Sequence, residues 1–304
     1  MSMHHQKEID KQINNGNKRK YFLEAFSSKV FLACALLSVV SLLFIVGFVF
    51  YKGSTPFITG KYSFIDFIFG TNWVPSEEQF GIWPMIVASF YATIGALVLG
   101  VPIGLFTAIF LAEIALKKIS NIVSPAIQLL AGIPSVLYGV FGLAIIVPFL
   151  QNNLGLARGQ SLIAVIIVLA IMMLPTIVTV AETAIRAVPK AYREGSLALG
   201  VSQIGTIFKV VVPAAKSGIM AAIVLGLGRA IGETMAVILI AGNALIVPTS
   251  LTDSVRPLTT NIALEMGYAA GTHQEMLFAT GIVLFSFILL LNLVLAKITA
   301  KGES

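Results

Sequence analysis

The stretch GLGRAIGETMAVILIAG, residues 226–242, is apolar enough to lie in a lipid bilayer, yet it holds Arg229 and Glu233. An arginine at the middle of a spanning helix costs roughly 2.5–3.5 kcal/mol on insertion scales. Read as one continuous helix, the two charges stand at i and i+4, share a face and partly neutralise each other. An isolated helix prefers the acid before the base, and here the order is reversed. Helix stability is therefore a poor reason to keep the pair. Gly228 and Gly232 form a parallel stripe of small residues on which another helix packs closely. Ionisable groups inside a membrane are functional candidates by default. The competing structural reading is a buried ion pair that only fixes helix packing.

The rest of the chain supports a membrane setting. Its 304 residues are 57% hydrophobic and 11% charged, where a soluble domain carries about 25% charged residues. The mean hydropathy is +0.94. A spanning helix needs about 20 apolar residues. Six stretches qualify: 30–51, 85–112, 123–150, 161–181, 217–241 and 277–296. The alternation of a membrane β-barrel strand is absent from them. The expectation is an all-α polytopic membrane protein with six transmembrane helices. Its organisation reads as a leader at 1–29, a first span at 30–51, an outer loop at 52–84 and a transmembrane domain at 85–297 with an inner loop at 182–216.

The net charge of +6 reads as topogenic charge, and no nucleic-acid partner is expected, because the basic residues sit in loops between apolar runs. Lysines and arginines crowd the leader, the inner loop and the tail, whereas Lys52, Lys61, Arg158 and Arg256 are alone on the other side. That asymmetry places both termini in the cytoplasm of a plasma (inner) membrane protein. The leader is charged and Asn-rich, and partial disorder is expected of it. The first span reads as a retained anchor, since no small-x-small cleavage site follows it.

Cys34 is the single cysteine, and His4, His5 and His273 are scattered, so no disulfide framework or metal site is expected. A phosphate-cradling G-x-x-x-x-G-K-[ST] loop is missing. The nearest approach, Thr59-Gly60-Lys61-Tyr62, has Thr55 in place of the first glycine and no hydroxyl residue after the lysine. No cofactor is expected on this chain. If ATP drives it, another subunit hydrolyses the nucleotide.

The inner loop contains REGSLALGVSQIGTIFKVVVPAAKSG, residues 193–218. Pro189 opens a short helix over 190–199. Gly200 suits a left-handed exit. Ser202 caps a second short helix, and Pro213 breaks it. The physical reading alone leaves open an amphipathic pair that merely anchors the loop. The segment also resembles the EAA motif of ABC importer permeases, in which E-A-A is followed after three residues by Gly and after nine more by I-x-L-P. Glu194-Gly195-Ser196 stands for E-A-A, Gly200 for the glycine, and Val210, Val212 and Pro213 for the last group. Gly195 and Ser196 depart from the two alanines and the valines from Ile and Leu. The resemblance implies a coupling helix seated on an ATPase subunit, with Ser196, Ala198 and Gly200 giving a small-residue contact face.

In the third span, GIPSVLYG at 132–139 places Pro134 among glycines, which breaks a helix. A break at membrane depth is tolerated where it is buried in protein or lines a wet cavity. Ser135 and Tyr138 then offer hydroxyls one turn apart; the alternative is a kinked packing helix. Together with NWVPSEEQFGIWPMI, AGIPSVLYGVFGL, GRAIGETMAV and RPLTTNIALEMGYA, these stretches are similar to phosphate ABC importer permeases of the PstC type over nearly all the chain from Val30. The resemblance implies the type I ABC importer permease fold and a second homologous permease. It also implies two ATPase subunits using ATP and Mg, an extracytoplasmic phosphate-binding protein, and a transport role for Arg229 and Glu233. An importer of sulfate or molybdate stays open, as does a proton-coupled secondary transporter using Glu233 or a protein that moves nothing. The aromatics of 52–84 read as an interface belt or a docking surface, and 242–276, with Arg256 and Glu265, as a loop with a re-entrant or surface helix.

Overall fold

The computed structural model describes the backbone of residues 3–300 and the side chains of residues 24–295 and 297. The chain divides into two compact units after Lys52. Helix α1, Met3–Ile58, makes up the first unit and enters the second. The leader, expected to be partly disordered, continues this helix back to Met3. Once a long apolar helix exists, each added residue needs only propagation and not a new nucleus.

In the second unit, α2 (Phe64–Phe69) is capped by Ser63. The hairpin of β1 (Trp73–Val74) and β2 (Gln79–Phe80) follows, with Trp73 opposite Phe80. Helix α3 (Trp83–Ile109) ends in a π-helical turn, Phe110–Ile114. Next come α4 (Lys117–Ala131), α5 (Ser135–Phe141), a second π turn at Gly142–Ile146, and α6 (Val147–Leu154). Helix α7 (Leu162–Arg186) leads to α8 (Lys190–Ala198), α9 (Gln203–Thr206), a third π turn and α10 (Val212–Ala214). Helices α11 (Lys216–Gly232), α12 (Met235–Ile240), α13 (Leu258–Glu265) and α14 (Thr272–Ala300) complete the chain.

The centre of the unit is the α3–α7 pair, its most extensive helix contact. The cause is a stripe every fourth residue of α3: Ala88, Ala92, Ala96, Gly100, Gly104 and Ala108, all buried. Such a ridge of small residues brings two backbones together. A Cβ on Gly104 would fall 2.7 Å from Ile177 Cγ2. Helix α11 also packs on α7, with Gly226 against the same Ile177 side chain. Apolar residues cluster at mid-height around α7, at one end around Leu111, Ile185 and Ile207, and at the other around Trp73, Ile82 and Met276.

Five helices are long and apolar enough to cross a membrane: Glu24–Ile58, Trp83–Ile114, Ser135–Leu154, Leu162–Arg186 and Thr272–Leu295. A sixth arises only if Gln203–Ala214 and Lys216–Gly232, bent by 71°, are taken together. One expected span is interrupted where Pro134 was expected to break it, and one is corrected. The stretch 123–150 is interrupted at Gly132–Pro134, so the spanning part begins at Ser135. The stretch 217–241 is interrupted between Gly232 and Met235.

Candidate functional site

The two interruptions come together. Helix α5 restarts after Pro134, and α12 restarts after Thr234; the two short helices pack on each other. Gly139 makes this possible, since a Cβ there would stand 2.7 Å from the Ala236 Cα. Gly142 sits likewise against Ile240 and Val168.

The break in the charged span overturns the i, i+4 pairing of Arg229 and Glu233. Helix α11 stops at Gly232, and Glu233 is extended, with φ −71° and ψ 131°. Arg229 lies in the last turn of α11, half-buried, where a cation complements the helix dipole. Among the described residues its guanidinium has no hydrogen-bond or ion-pair partner. It lies within electrostatic range of the Tyr138 phenol. Glu233 faces another way: its Oε1 accepts the Ala236 N–H at 3.1 Å and so caps α12, a charge-assisted use of an orphan donor. Its backbone carbonyl accepts the Thr259 hydroxyl at 3.1 Å. Tyr138, 7% exposed, donates its hydroxyl to the Leu130 carbonyl at 2.7 Å. The Tyr138 proton therefore closes the end of α4, and only its oxygen lone pairs face elsewhere. Ser135 is half-buried in the first turn of α5. Gly228 and Gly232 carry open space where a Cβ would be; among the described residues the small stripe has no neighbour within 4 Å of those positions.

At the end holding residues 182–216, local chemistry follows the sequence closely. Gly200 takes φ +81° after α8, and the Ser202 hydroxyl accepts the Gly205 N–H at 3.2 Å. Glu194 and Gly195 are exposed. Two expectations fail here. Ser196 is buried and bonds the Thr206 hydroxyl at 2.9 Å, tying α8 to α9 and leaving the outer face. Pro213 does not end the second helix: it sits in the first turn of α10, where it needs no N–H, and the bend comes at Ala215.

Sequence reasoning missed what holds this loop. Arg193 donates from Nε to both oxygens of Glu113 at 3.1 Å and from Nη2 to the Ile185 carbonyl at 2.9 Å. Both side chains are largely buried. Arg186 pairs with Glu182 and reaches the Leu111 carbonyl at 2.6 Å and the Ser120 hydroxyl at 2.7 Å. Ser124 completes this group by donating to Glu182 at 3.0 Å. Only the basic character of Arg186 and Arg193 was visible beforehand.

The opposite end holds a second missed cluster. Glu265, almost fully buried, meets Trp73 Nε1, Arg256 Nη1 and His273 Nε2, each at 2.8 Å. Arg256 also donates to the Asn243 carbonyl at 3.0 Å. The loop 242–276 thus contains a buried helix, α13, in place of a surface one. Aromatics of the outer loop turn inward: Trp73 and Phe57 stack edge-on or tilted on Phe80 and Phe67 at 5.4 and 5.2 Å. Phe64 and Phe69 stay exposed.

The chain matches the family model described as "Binding-protein-dependent transport system inner membrane component" over residues 100–301. It is 38% identical over 292 residues to a probable ABC transporter permease protein, YqgH, of Bacillus subtilis, covering 93% of this chain and 94% of that one. It is 35% identical over 238 residues to the phosphate transport system permease protein PstC of Pasteurella multocida, covering 72% and 74%. In structure it resembles the MetNI methionine ABC transporter in inward facing conformations, with a TM-score of 0.54, 21% identity, and 73% and 94% coverage.

Proposed function

The chain belongs to the family of inner membrane components of binding-protein-dependent transport systems, and from that premise we propose that it is the permease subunit of an ATP-driven importer of inorganic phosphate. The observation that carries the choice of cargo is Arg229, a cation without a protein partner among the described residues, beside a broken helix pair at mid-span. A guanidinium binds a phosphate oxyanion through paired, charge-assisted hydrogen bonds. The likeness to PstC of Pasteurella multocida supports the same cargo.

In this reading Arg229 attracts the anion where the α5 and α12 ends meet. Glu233, spent on capping α12, adds negative charge nearby and keeps the anion from being trapped, since permeation needs release as well as capture. Ser135 and the Tyr138 oxygen stand on the facing element. The exposed Glu194, Gly195 and Gly200 belong to the coupling loop, which delivers work from two ATPase subunits that bind ATP and Mg. The open Gly228/Gly232 stripe takes a second homologous permease. Both termini lie in the cytoplasm, and an extracytoplasmic phosphate-binding protein delivers the cargo at the hairpin end.

The test is reconstitution of the whole complex in vesicles, with loaded binding protein outside and ATP inside. Labelled phosphate accumulates and sulfate does not. Sulfate uptake at a similar rate, or phosphate uptake by the lone chain under a pH gradient, overturns the reading.

A further inference from the structure

We propose that Thr259 is a positioning residue for the break at Glu233, and that α13 carries the state of the Glu265 cluster to it; the inference rests on the functional reading of that break. With ψ at 131°, Glu233 turns its carbonyl out of helical register. A partly buried carbonyl so released needs a new donor. The donor is the Thr259 hydroxyl at 3.1 Å, from a residue 8% exposed in the first turn of α13. Nothing on α11 or α12 supplies it, so the unwound geometry of Glu233 depends on where α13 stands.

The place of α13 is in turn set at both its ends. Its first amide, Leu258 N–H, donates to Ser89 Oγ of α3 at 2.9 Å. Its last residue, Glu265, is held by Trp73 from the hairpin, Arg256 from the preceding loop and His273 from α14. From residue 259 to 265 a helix rises about 9 Å and moves as one stiff piece. A pull on the hairpin that shifts Trp73 therefore shifts Glu265, and with it the hydroxyl that holds the break open. The chain so links its outer, hairpin end to the mid-span break by one short helix with a polar anchor at each end.

The experiment measures amide hydrogen exchange over residues 232–238 in the complete complex in lipid nanodiscs. Thr259→Val, which keeps the shape and removes the hydroxyl, speeds exchange there roughly three- to tenfold, the loss expected of one hydrogen bond. Thr259→Ser restores the wild-type rate. Trp73→Phe, at the far anchor, also speeds exchange at 232–238. The double variant exchanges no faster than the stronger single one, because both act through α13. Unchanged exchange in Thr259→Val, or a double variant equal to the product of the singles, overturns the proposal; Thr259→Ala replaces valine if assembly fails. The readout needs no knowledge of the cargo. A failure of phosphate uptake in the wild-type complex therefore strikes the functional reading and leaves this result standing.

Discussion

At the scale of single residues, Arg229 and Asp253 carry the sharpest expectations. Arg229→Gln removes the charge while keeping a polar, though shorter, side chain. Phosphate uptake falls by an order of magnitude or more, about 1.4 kcal/mol per tenfold, with complex assembly unchanged. Full uptake in that variant would reduce Arg229 to a packing group. Arg229→Lys keeps the charge but loses the two-pronged geometry, so an intermediate rate is expected. Asp253 lies outside the spans and accepts backbone N–H groups of Ser250 and Thr249 at 2.9 and 2.8 Å, which hold its carboxyl below the ordinary carboxylate range. A group shifted in that direction contributes fully above its unfolded titration range, hence at neutral pH. The contribution is lost as the pH falls through the depressed range. The turn it closes supports α7, because the Asp253 and Leu251 carbonyls accept the Leu162 and Ile163 amides at 2.8 Å. The protection factors of those two amides, which correct for the slower intrinsic exchange in acid, should fall on acidification, and Asp253→Asn should show the low protection already at neutral pH.

At the scale of elements, the small-residue ridge of α3 is the feature on which packing depends most. Gly104→Val drives a branched side chain into Ile177, where even a Cβ stands at 2.7 Å. Overpacking of this kind costs about 1–3 kcal/mol, which thermal unfolding of the purified complex should register as a lower midpoint. Gly47, whose Cβ would meet nothing, is the control on α1. The ridge of Ala88, Ala92, Ala96, Gly100, Gly104 and Ala108 went unread in the sequence, because hydropathy alone treats those positions as merely apolar. The short helices were legible in part. Gly200 and Ser202 announce the exit of α8 and the cap of α9 through backbone chemistry that acts within a few residues. The fate of Ser196 was not, since its burial depends on Thr206 arriving across the turn.

At the scale of the whole molecule, three groups of polar contacts join segments remote in sequence: Arg193 with Glu113, Glu265 with Trp73, and Glu233 with Thr259. The first has a direct consequence for energy coupling. Glu113→Gln leaves the Arg193 guanidinium largely buried and without its counter-charge, and losing one member of such a pair costs about 3–5 kcal/mol. The α8–α9 loop should then lose its fixed attitude, and ATP hydrolysis stimulated by loaded binding protein should fall while basal hydrolysis by the ATPase subunits stays. Stimulation at the wild-type level would show that the loop is held by other means. Along its length the sequence by itself determined the apolar spans, the lysine and arginine asymmetry, the interruption at Pro134 and the turn chemistry around Gly200, because each follows from hydropathy or backbone preferences a few residues wide. Only the tertiary structure decided that the charged span is broken at Glu233, that Glu233 caps α12 while Arg229 has no protein partner among the described residues, and that α13 is buried. Those outcomes rest on donors and backbones, such as Thr259 and Gly139, that lie far off in sequence and meet the break only once the chain has folded.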